Sequence, residues 1–303
     1  GKKLKISREN VMPFSTGVIG EYLEVEKNIK AFEESIEALS ESSWEEAANA
    51  ILTTDTKPKL LSRKLNLDGG ITNITAFAKG SGMIRPDFAT LLSFVFIDAN
   101  IGNSLLHEIH EESLSNSFEA ITIDGDTSPN DSSILIATNK SEINIQKNSS
   151  NEKKFKDSLF MIYKDLAEML VEDAEGGTKK IRINVSKAKN IVQAKSIAFT
   201  VAESLLVKTA MYGNDINWGR ILAAVGRDRE LKDISKLDIN LNGLPLVREG
   251  NIDDNYSEDK ASIEIKGTSI DINIQLREGE SHFSVITSDL SHDYVSINSD
   301  YRS

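Results

Sequence analysis

The residues with the clearest chemical potential lie in Lys79-Gly80-Ser81-Gly82-Met83-Ile84-Arg85-Pro86-Asp87-Phe88-Ala89-Thr90. There a small residue and a threonine stand between a Gly/Pro-rich turn and the apolar run Leu91-Leu92-Ser93-Phe94-Val95-Phe96-Ile97. A peptide bond cut by its own threonine needs this arrangement. The Thr90 hydroxyl would attack the Ala89 carbonyl, and water would cleave the resulting ester. Thr90 then becomes an N-terminus whose free amine can act as base for its own hydroxyl. An α-amino group titrates at about 7.7–8.0, so a useful fraction is neutral near neutrality. The γ-methyl of threonine restricts χ1 and helps aim the oxygen. Taken alone, the segment also reads as a turn entering a buried strand, with Thr90 an ordinary β-former.

Other blocks stand in order along the chain: Ser15-Thr16-Gly17-Val18-Ile19-Gly20, Thr53-Thr54-Asp55-Thr56, the block ending at Thr90, and Asp124-Gly125-Asp126-Thr127. Asp173-Ala174-Glu175-Gly176, Asn217-Trp218-Gly219-Arg220 and the ending Asp293-Tyr294-Val295-Ser296-Ile297-Asn298-Ser299-Asp300-Tyr301-Arg302-Ser303 follow. Together they resemble the ornithine acetyltransferase family, the glutamate N-acetyltransferases of arginine biosynthesis. The resemblance implies acetyl transfer from N2-acetylornithine to glutamate by a ping-pong route through an acetyl-Thr90 ester, after self-cleavage between Ala89 and Thr90. It implies no cofactor and no metal, and for some members acetyl-CoA as a second donor. It also implies two chains from one precursor, 1–89 (the end of the alpha chain) and 90–303 (the beta chain), assembled as an (alpha-beta)2 heterotetramer in the cytoplasm. Family members carry a sizeable segment ahead of the Ser15 block, where this chain has fourteen residues. The expectation is therefore an incomplete family fold. Two rivals are a related self-cleaving aminopeptidase or hydrolase, and an inactive truncated paralogue that only binds small molecules.

The resemblance places Thr16 and Gly17 in the oxyanion hole, through a hydroxyl and a backbone N–H. Losing one such donor typically costs about 10²–10³ in rate. It places Thr56, Lys79, Thr90, Glu175, Asn298 and Ser303 among the substrate-binding residues. Read as residues, Ser15-Thr16-Gly17 is also simply a turn, Thr56 a helix-end threonine and Lys79 a solvated loop lysine. At the start of a Gly-rich loop, Lys79 could lower the amine's pKa or hold a substrate carboxylate. Use of Asn298 and Ser303 requires the C-terminal tail to fold back rather than fray.

Glu175 has physical support of its own. Glu168, Glu172, Asp173 and Glu175 crowd the C-terminal end of an expected helix, where the macrodipole disfavours negative charge. A sequence often breaks a local rule of this kind at a functional site, and an acidic end suits a cationic amine. Neutralisation by Lys179 and Lys180 on a solvated helix end accounts for the pattern equally well. His107 and His110, with Glu108 and Glu111, have i,i+3 spacing on an expected helix and read as a solvated face rather than a metal site. Gly80-Ser81-Gly82 lacks the spacing of a dinucleotide or P-loop site. Asn217-Trp218-Gly219-Arg220 and the Asp124–Asp131 stretch read as a packing element and an Asx-rich turn.

The elements that must position these residues follow from periodicity. Apolar residues at helical spacing predict helices over 25–39 and 155–169, the latter stopping at Gly176-Gly177. Further helices are expected at 44–51, capped by Ser42 or Ser43, at 104–117 and at 190–211. Strands are expected at 60–67 and 71–78 around an Asp68-Gly69-Gly70 turn, and at 91–97, 133–137 and 180–185. Residues 139–152 read as a loop. The last eighty residues alternate in short runs, 263–265, 270–276 and 282–287, and suggest a β-rich close. Such an order predicts an α+β layered sandwich, stacked sheets covered by helices.

At 303 residues the chain can bury a substantial core. Its net charge of −12 argues against nucleic acid or an anionic membrane as partner. The absence of cysteine rules out disulfides, thiol catalysis and thiolate metal sites, and fits a reducing compartment. No apolar run approaches the ~20 residues that span a bilayer, and the start Gly1-Lys2-Lys3-Leu4-Lys5 is basic without a secretory apolar stretch.

Overall fold

The computed structural model describes residues 1–85, 91–229, 231 and 233–301. Two helices open the chain, α1 (Val25–Glu37) and α2 (Trp44–Ala50). The hairpin β1 (Lys59–Leu67) and β2 (Gly70–Lys79) then closes at Leu67↔Gly70, with Gly69 at φ +105°, a conformation that favours glycine. β3 (Leu92–Ile97) pairs antiparallel with β2 on one side and parallel with β5 (Ser132–Ala137) on the other. The first sheet therefore runs β1-β2-β3-β5.

Between β3 and β5 come the two-residue β4 (Asn100–Ile101) and α3 (Asn103–Ser115). β6 (Asn144–Ile145) pairs with β4 and precedes the long α4 (Ser150–Glu172). Ser149 caps α4 by accepting the Glu152 N–H at 3.1 Å. Phe155, Leu159, Ile162 and Leu166 at alternating spacings of four and three give α4 a fully buried stripe against Ile74, Val95 and Ile97 of the first sheet. The other face of that sheet carries Phe77, Phe94 and Phe96, which meet Phe14 and Trp44 in ring contacts.

The second sheet is built from β7 (Lys180–Ala188), β8 (Asp238–Leu241), β9 (Leu244–Arg248), β10 (Asn251–Ile252), β11 (Ser269–Gln275) and β12 (Ser281–Ser288). Its order is β10-β9-β8-β11-β7-β12. One face packs on α5 (Ile191–Ala202), α6 (Leu205–Tyr212), α7 (Trp218–Val225) and α8 (Glu258–Glu264), in a core that includes Ile181, Ile183, Ile272 and Val285. The other face meets α4: Lys180 reaches Glu168 and Glu172 at 2.8 and 2.7 Å, and Ile286 joins the α4 core. Two open sheets with helices in layers match the expected α+β sandwich.

Several elements differ from expectation. The helix expected over 190–211 is broken at Glu203-Ser204, where Ser204 accepts the Val207 N–H and starts α6 afresh. Residues 263–265 are no strand but the end of α8. The expected loop over 139–152 holds β6 and the first turn of α4. α4 stops at Glu172, short of Gly176-Gly177, and the chain closes on α9 (His292–Asp300), capped by Ser291.

Candidate active site

A cavity of about 340 Å³ opens where three strands of the first sheet begin or end. Lys79 at the end of β2 lies opposite Leu92, and Leu92 lies opposite Ser132 at the start of β5. The Ser132 N–H also donates to the Leu91 carbonyl at 2.8 Å. This register brings Lys79, Leu91 and Asp131 to one edge of the sheet, and all three line the cavity. Thr16, Gly17, Glu175 and Asn298 complete its wall from other parts of the chain. Ala89, Thr90 and Ser303 lie outside the described residues.

The loop after β2 is held by the threonine-rich segment 53–56, one residue after another. Thr53 Oγ1 accepts from Lys79 Nζ at 3.1 Å, and the Thr54 and Ser81 hydroxyls share a hydrogen bond of 2.7 Å. Asp55 Oδ1 accepts the Gly80 N–H at 2.7 Å and the Lys59 ammonium at 2.5 Å. Thr56 points the other way: its N–H and its hydroxyl both donate to Asp173. Thr53 and Thr54 therefore line the cavity, and Thr56 does not. Burial pushes the Asp55 carboxyl up, but the Lys59 ammonium and the Gly80 N–H outweigh it and leave the pKa below its usual value.

Lys79 is in turn pushed down, chiefly by burial, against the pull of Asp55, Asp131 and Glu175. Asp131 moves the opposite way. Burial raises it to about 7, against Ser128 hydrogen bonds and the nearby Lys79 charge. One of its oxygens, Oδ2, is buried without a hydrogen-bond partner among the described residues.

Glu175 is 9% exposed and reaches the cavity from the turn after α4. Its N–H donates to the Ser81 carbonyl at 2.8 Å, and its Oε2 accepts from Asn298 Nδ2 at 2.8 Å. A side chain at Gly82 would run into this carboxylate, so glycine there lets the loop and Glu175 approach closely. The rest of the acidic helix end is neutralised: Glu168 and Glu172 by Lys180, Glu168 also by Arg182, and Asp173 by Lys59. Lys179 turns away to the carbonyls of Met211 and Ile265 and to Asn214. Neutralisation thus accounts for Glu168 and Glu172 through Lys180 but not through Lys179, and Glu175 stands apart on the cavity wall.

The tail folds back. Ser291 Oγ donates to the Gly176 carbonyl at 2.6 Å, and Gly176, at φ +64°, leaves room for the first turn of α9. Asn298 and Tyr301 thereby reach the cavity. Asp124, read from sequence as part of a turn, accepts the backbone N–H groups of Met83 and Ile84 at 2.6 and 2.9 Å and braces the loop that leads toward Thr90. Away from the cavity, Trp218 starts α7 and packs on the core of the second sheet. His110 bonds the Tyr163 hydroxyl at 2.6 Å, and His107 pairs with Glu111. No group of three metal-ligating side chains occurs among the described residues.

The sequence marks Thr53, Asp124 and Asp131 only as members of a block or a turn, yet all three line the cavity. The parallel pairing of β3 with β5, which sets Asp131 beside the chain that follows Thr90, leaves no local signal.

A family model described as the ArgJ family matches residues 1–303. The chain is 44% identical over 297 residues to the arginine biosynthesis bifunctional protein ArgJ of Methylococcus capsulatus, covering 97% of this chain and 72% of that one. It is 40% identical to the ArgJ of Pseudomonas fluorescens, covering 98% and 74%. A crystal structure of the arginine biosynthesis bifunctional protein ArgJ of Bacillus halodurans aligns with a TM-score of 0.66 at 32% identity, over 70% of this chain and all of that one.

Proposed function

Because the chain belongs to the ArgJ family, we propose that it is a glutamate N-acetyltransferase of arginine biosynthesis that works through Thr90. The observation that carries this reading is the convergence of Thr16, Gly17, Lys79, Glu175 and Asn298, far apart in sequence, on one cavity lined by Leu91, the residue next to Thr90. Self-cleavage between Ala89 and Thr90 frees the amine that serves as base. The Thr90 hydroxyl takes the acetyl group from N2-acetylornithine, and ornithine leaves. Glutamate then attacks the acetyl-threonine ester and leaves as N-acetylglutamate.

The residue roles belong to the same proposal. The Thr16 hydroxyl and the Gly17 N–H bind the developing oxyanion. Lys79, steadied by Thr53, holds a substrate carboxylate, and Thr53 takes the binding role that the resemblance implied for Thr56. Glu175, oriented by Asn298, binds the ammonium end of the amino acid, and the Ser303 hydroxyl closes the site. The relatives are named bifunctional; acetyl-CoA as a second donor accounts for that word. The two pieces assemble in pairs as a heterotetramer. The cytoplasm is the proposed location, and no described helix is long and apolar enough to cross a membrane.

Acetyl-labelled N2-acetylornithine and unlabelled glutamate test the reading. Label should appear in N-acetylglutamate, and ornithine release should occur in a burst without glutamate. Release of free acetate at a rate indifferent to glutamate would mean a hydrolase instead.

A further inference from the structure

The transfer leaves a proton unassigned. Amino acids leave and enter as ammonium ions, yet only a neutral amine can leave the amide or attack the ester. The Thr90 amine is occupied with the hydroxyl proton, so a second group must give a proton to the departing amine and take one from the arriving one.

The cavity contains a carboxyl group suited to this. Glu175 Oε2 already accepts from Asn298, and both Asp124 oxygens accept backbone N–H groups. Asp131 Oδ2 is buried with no partner among the described residues. Its position follows from the sheet: Ser132 lies opposite Leu92 and donates to Leu91, so Asp131 stands beside the first residue after Thr90. Among the described residues, the charged and titratable groups that share the cavity with Asp131 are Lys79 from β2, Asp124 and Asp126 from the loop before Asp131, Glu175 after α4, and Tyr294 and Tyr301 at the C-terminal end. Only Lys79 among them is a cation. It lies near enough to draw Asp131 toward ionisation, yet burial dominates and holds the group near neutrality, at about 7. A general acid and base works best when its pKa is close to the working pH.

We propose that Asp131 is the second proton carrier of the reaction, the group that protonates the leaving amine and deprotonates the attacking one. The assignment rests on the transferase reading above. In the first half-reaction the Thr90 Oγ–C bond forms and the amide C–N bond breaks. Asp131, as the acid, protonates the amide nitrogen as the C–N bond breaks, giving a neutral amine. The hydroxyl proton, held meanwhile by the Thr90 amine, then passes to the departing amine, and ornithine leaves as an ammonium. In the second half-reaction glutamate enters as an ammonium and returns one proton to the Asp131 carboxylate. Its neutral amine attacks the ester carbon, and the remaining proton passes through the Thr90 amine to Oγ. One ammonium leaves and one enters, so the protein ends the cycle unchanged.

The test compares two acetyl donors in the wild-type protein and in Asp131→Asn. N2-acetylornithine needs a protonated leaving amine, whereas p-nitrophenyl acetate loses an anion. In Asp131→Asn the ratio of amide to ester acylation rates should fall by about 10²-fold, and the dependence of glutamate attack on pH near 7 should flatten. Asp131→Glu, which keeps a carboxyl group, should recover part of the ratio. Formation of the fragment that begins at Thr90 reports that each variant has folded. Equal slowing with both donors, or a ratio like that of wild type, overturns the proposal and leaves the transferase reading intact. If Asp131→Asn does not fold, the ratio in Asp131→Glu and the wild-type pH profile decide: a glutamate attack rate flat between pH 6 and 8 overturns it as well. A wild-type protein that is acylated by the ester but by no N-acetyl amino acid would instead overturn the transferase reading, a different pattern.

Discussion

Asn298 on the last helix donates to Glu175 on the turn after α4, Nδ2 to Oε2 at 2.8 Å, across 123 residues of sequence. The same Nδ2 donates to the Tyr294 carbonyl at 3.0 Å, which ties the bond to the helical geometry of α9. Since α9 has no buried residue, packing does little to hold it. It stays in place through the Ser291–Gly176 hydrogen bond and the Asn298–Glu175 bond, so the wall of the cavity depends on polar contacts.

Asn298→Ala should therefore raise KM for glutamate and acetylornithine by about tenfold, the equivalent of one hydrogen bond to a charged group, with a smaller effect on the acetyl-Thr90 chemistry. Removing Tyr301–Ser303 should act in the same direction, because Tyr301 lines the cavity. Steady-state kinetics with both substrates provide the check. A truncated protein with wild-type KM and kcat would show that the tail takes no part.

Gly82→Ala probes the close approach of the loop to Glu175. The added methyl would occupy the space of the carboxylate, and the loop cannot give way easily because Ser81 and Met83 are hydrogen-bonded on either side. A loss of about 1–3 kcal/mol in stability is expected from overpacking, together with a raised KM. Thermal unfolding and kinetics measured on the same preparation test both. A methyl accepted without change in either would place Glu175 elsewhere in solution.

Parts of this architecture were legible from sequence, and the reasons are local. The β1–β2 hairpin follows from Asp68-Gly69-Gly70, and α4 from its alternating apolar spacing. The break between α5 and α6 was hidden because apolar residues continue on both sides of Glu203-Ser204. Ile263-Glu264-Ile265 alternates like a strand, yet the Ser257 cap and the acidic first turn commit the segment to α8. Within Thr53-Thr54-Asp55-Thr56 nothing local distinguishes the threonines. Lys79 on one side and Asp173 on the other decide which of them faces the cavity.

Cleavage before Thr90 would divide a single sheet. Residues 1–89 supply β1 and β2, and 90–303 supply β3 and β5, with β2 and β3 paired from Ile74↔Ile97 to Lys79↔Leu92. The pieces should remain together after the cut: two masses under denaturing conditions, one beginning Thr90-Leu91-Leu92, and a single particle on native size exclusion. Thr90→Ala should give one uncut mass and no transfer. Native separation of the pieces would contradict the shared sheet, and transfer by Thr90→Ala would remove Thr90 from the mechanism.

Lys208 provides a pH dependence that is independent of catalysis. It is 2% exposed on α6, donates to Thr287 Oγ1 at 2.9 Å and to the Ser288 carbonyl, and forms no ion pair within 4 Å among the described residues. Burial lowers its pKa from 10.5 to about 8, against the attraction of Asp289, Asp124 and Glu203. Below about 8 the lysine is charged in both the folded and the unfolded chain, and the folded state bears the full cost of the buried charge. As pH rises from about 8 to 10.5 the native protein releases its proton first, the unfolded chain holds more protons, and stability increases. Over that window the gain is on the order of 3 kcal/mol. Lys208→Met removes the titration while roughly keeping the volume. Its Tm should gain on wild type at pH 7, and the advantage should shrink as the pH approaches 10. Denaturation curves that stay parallel across that range would mean that Lys208 keeps an ordinary pKa in the fold.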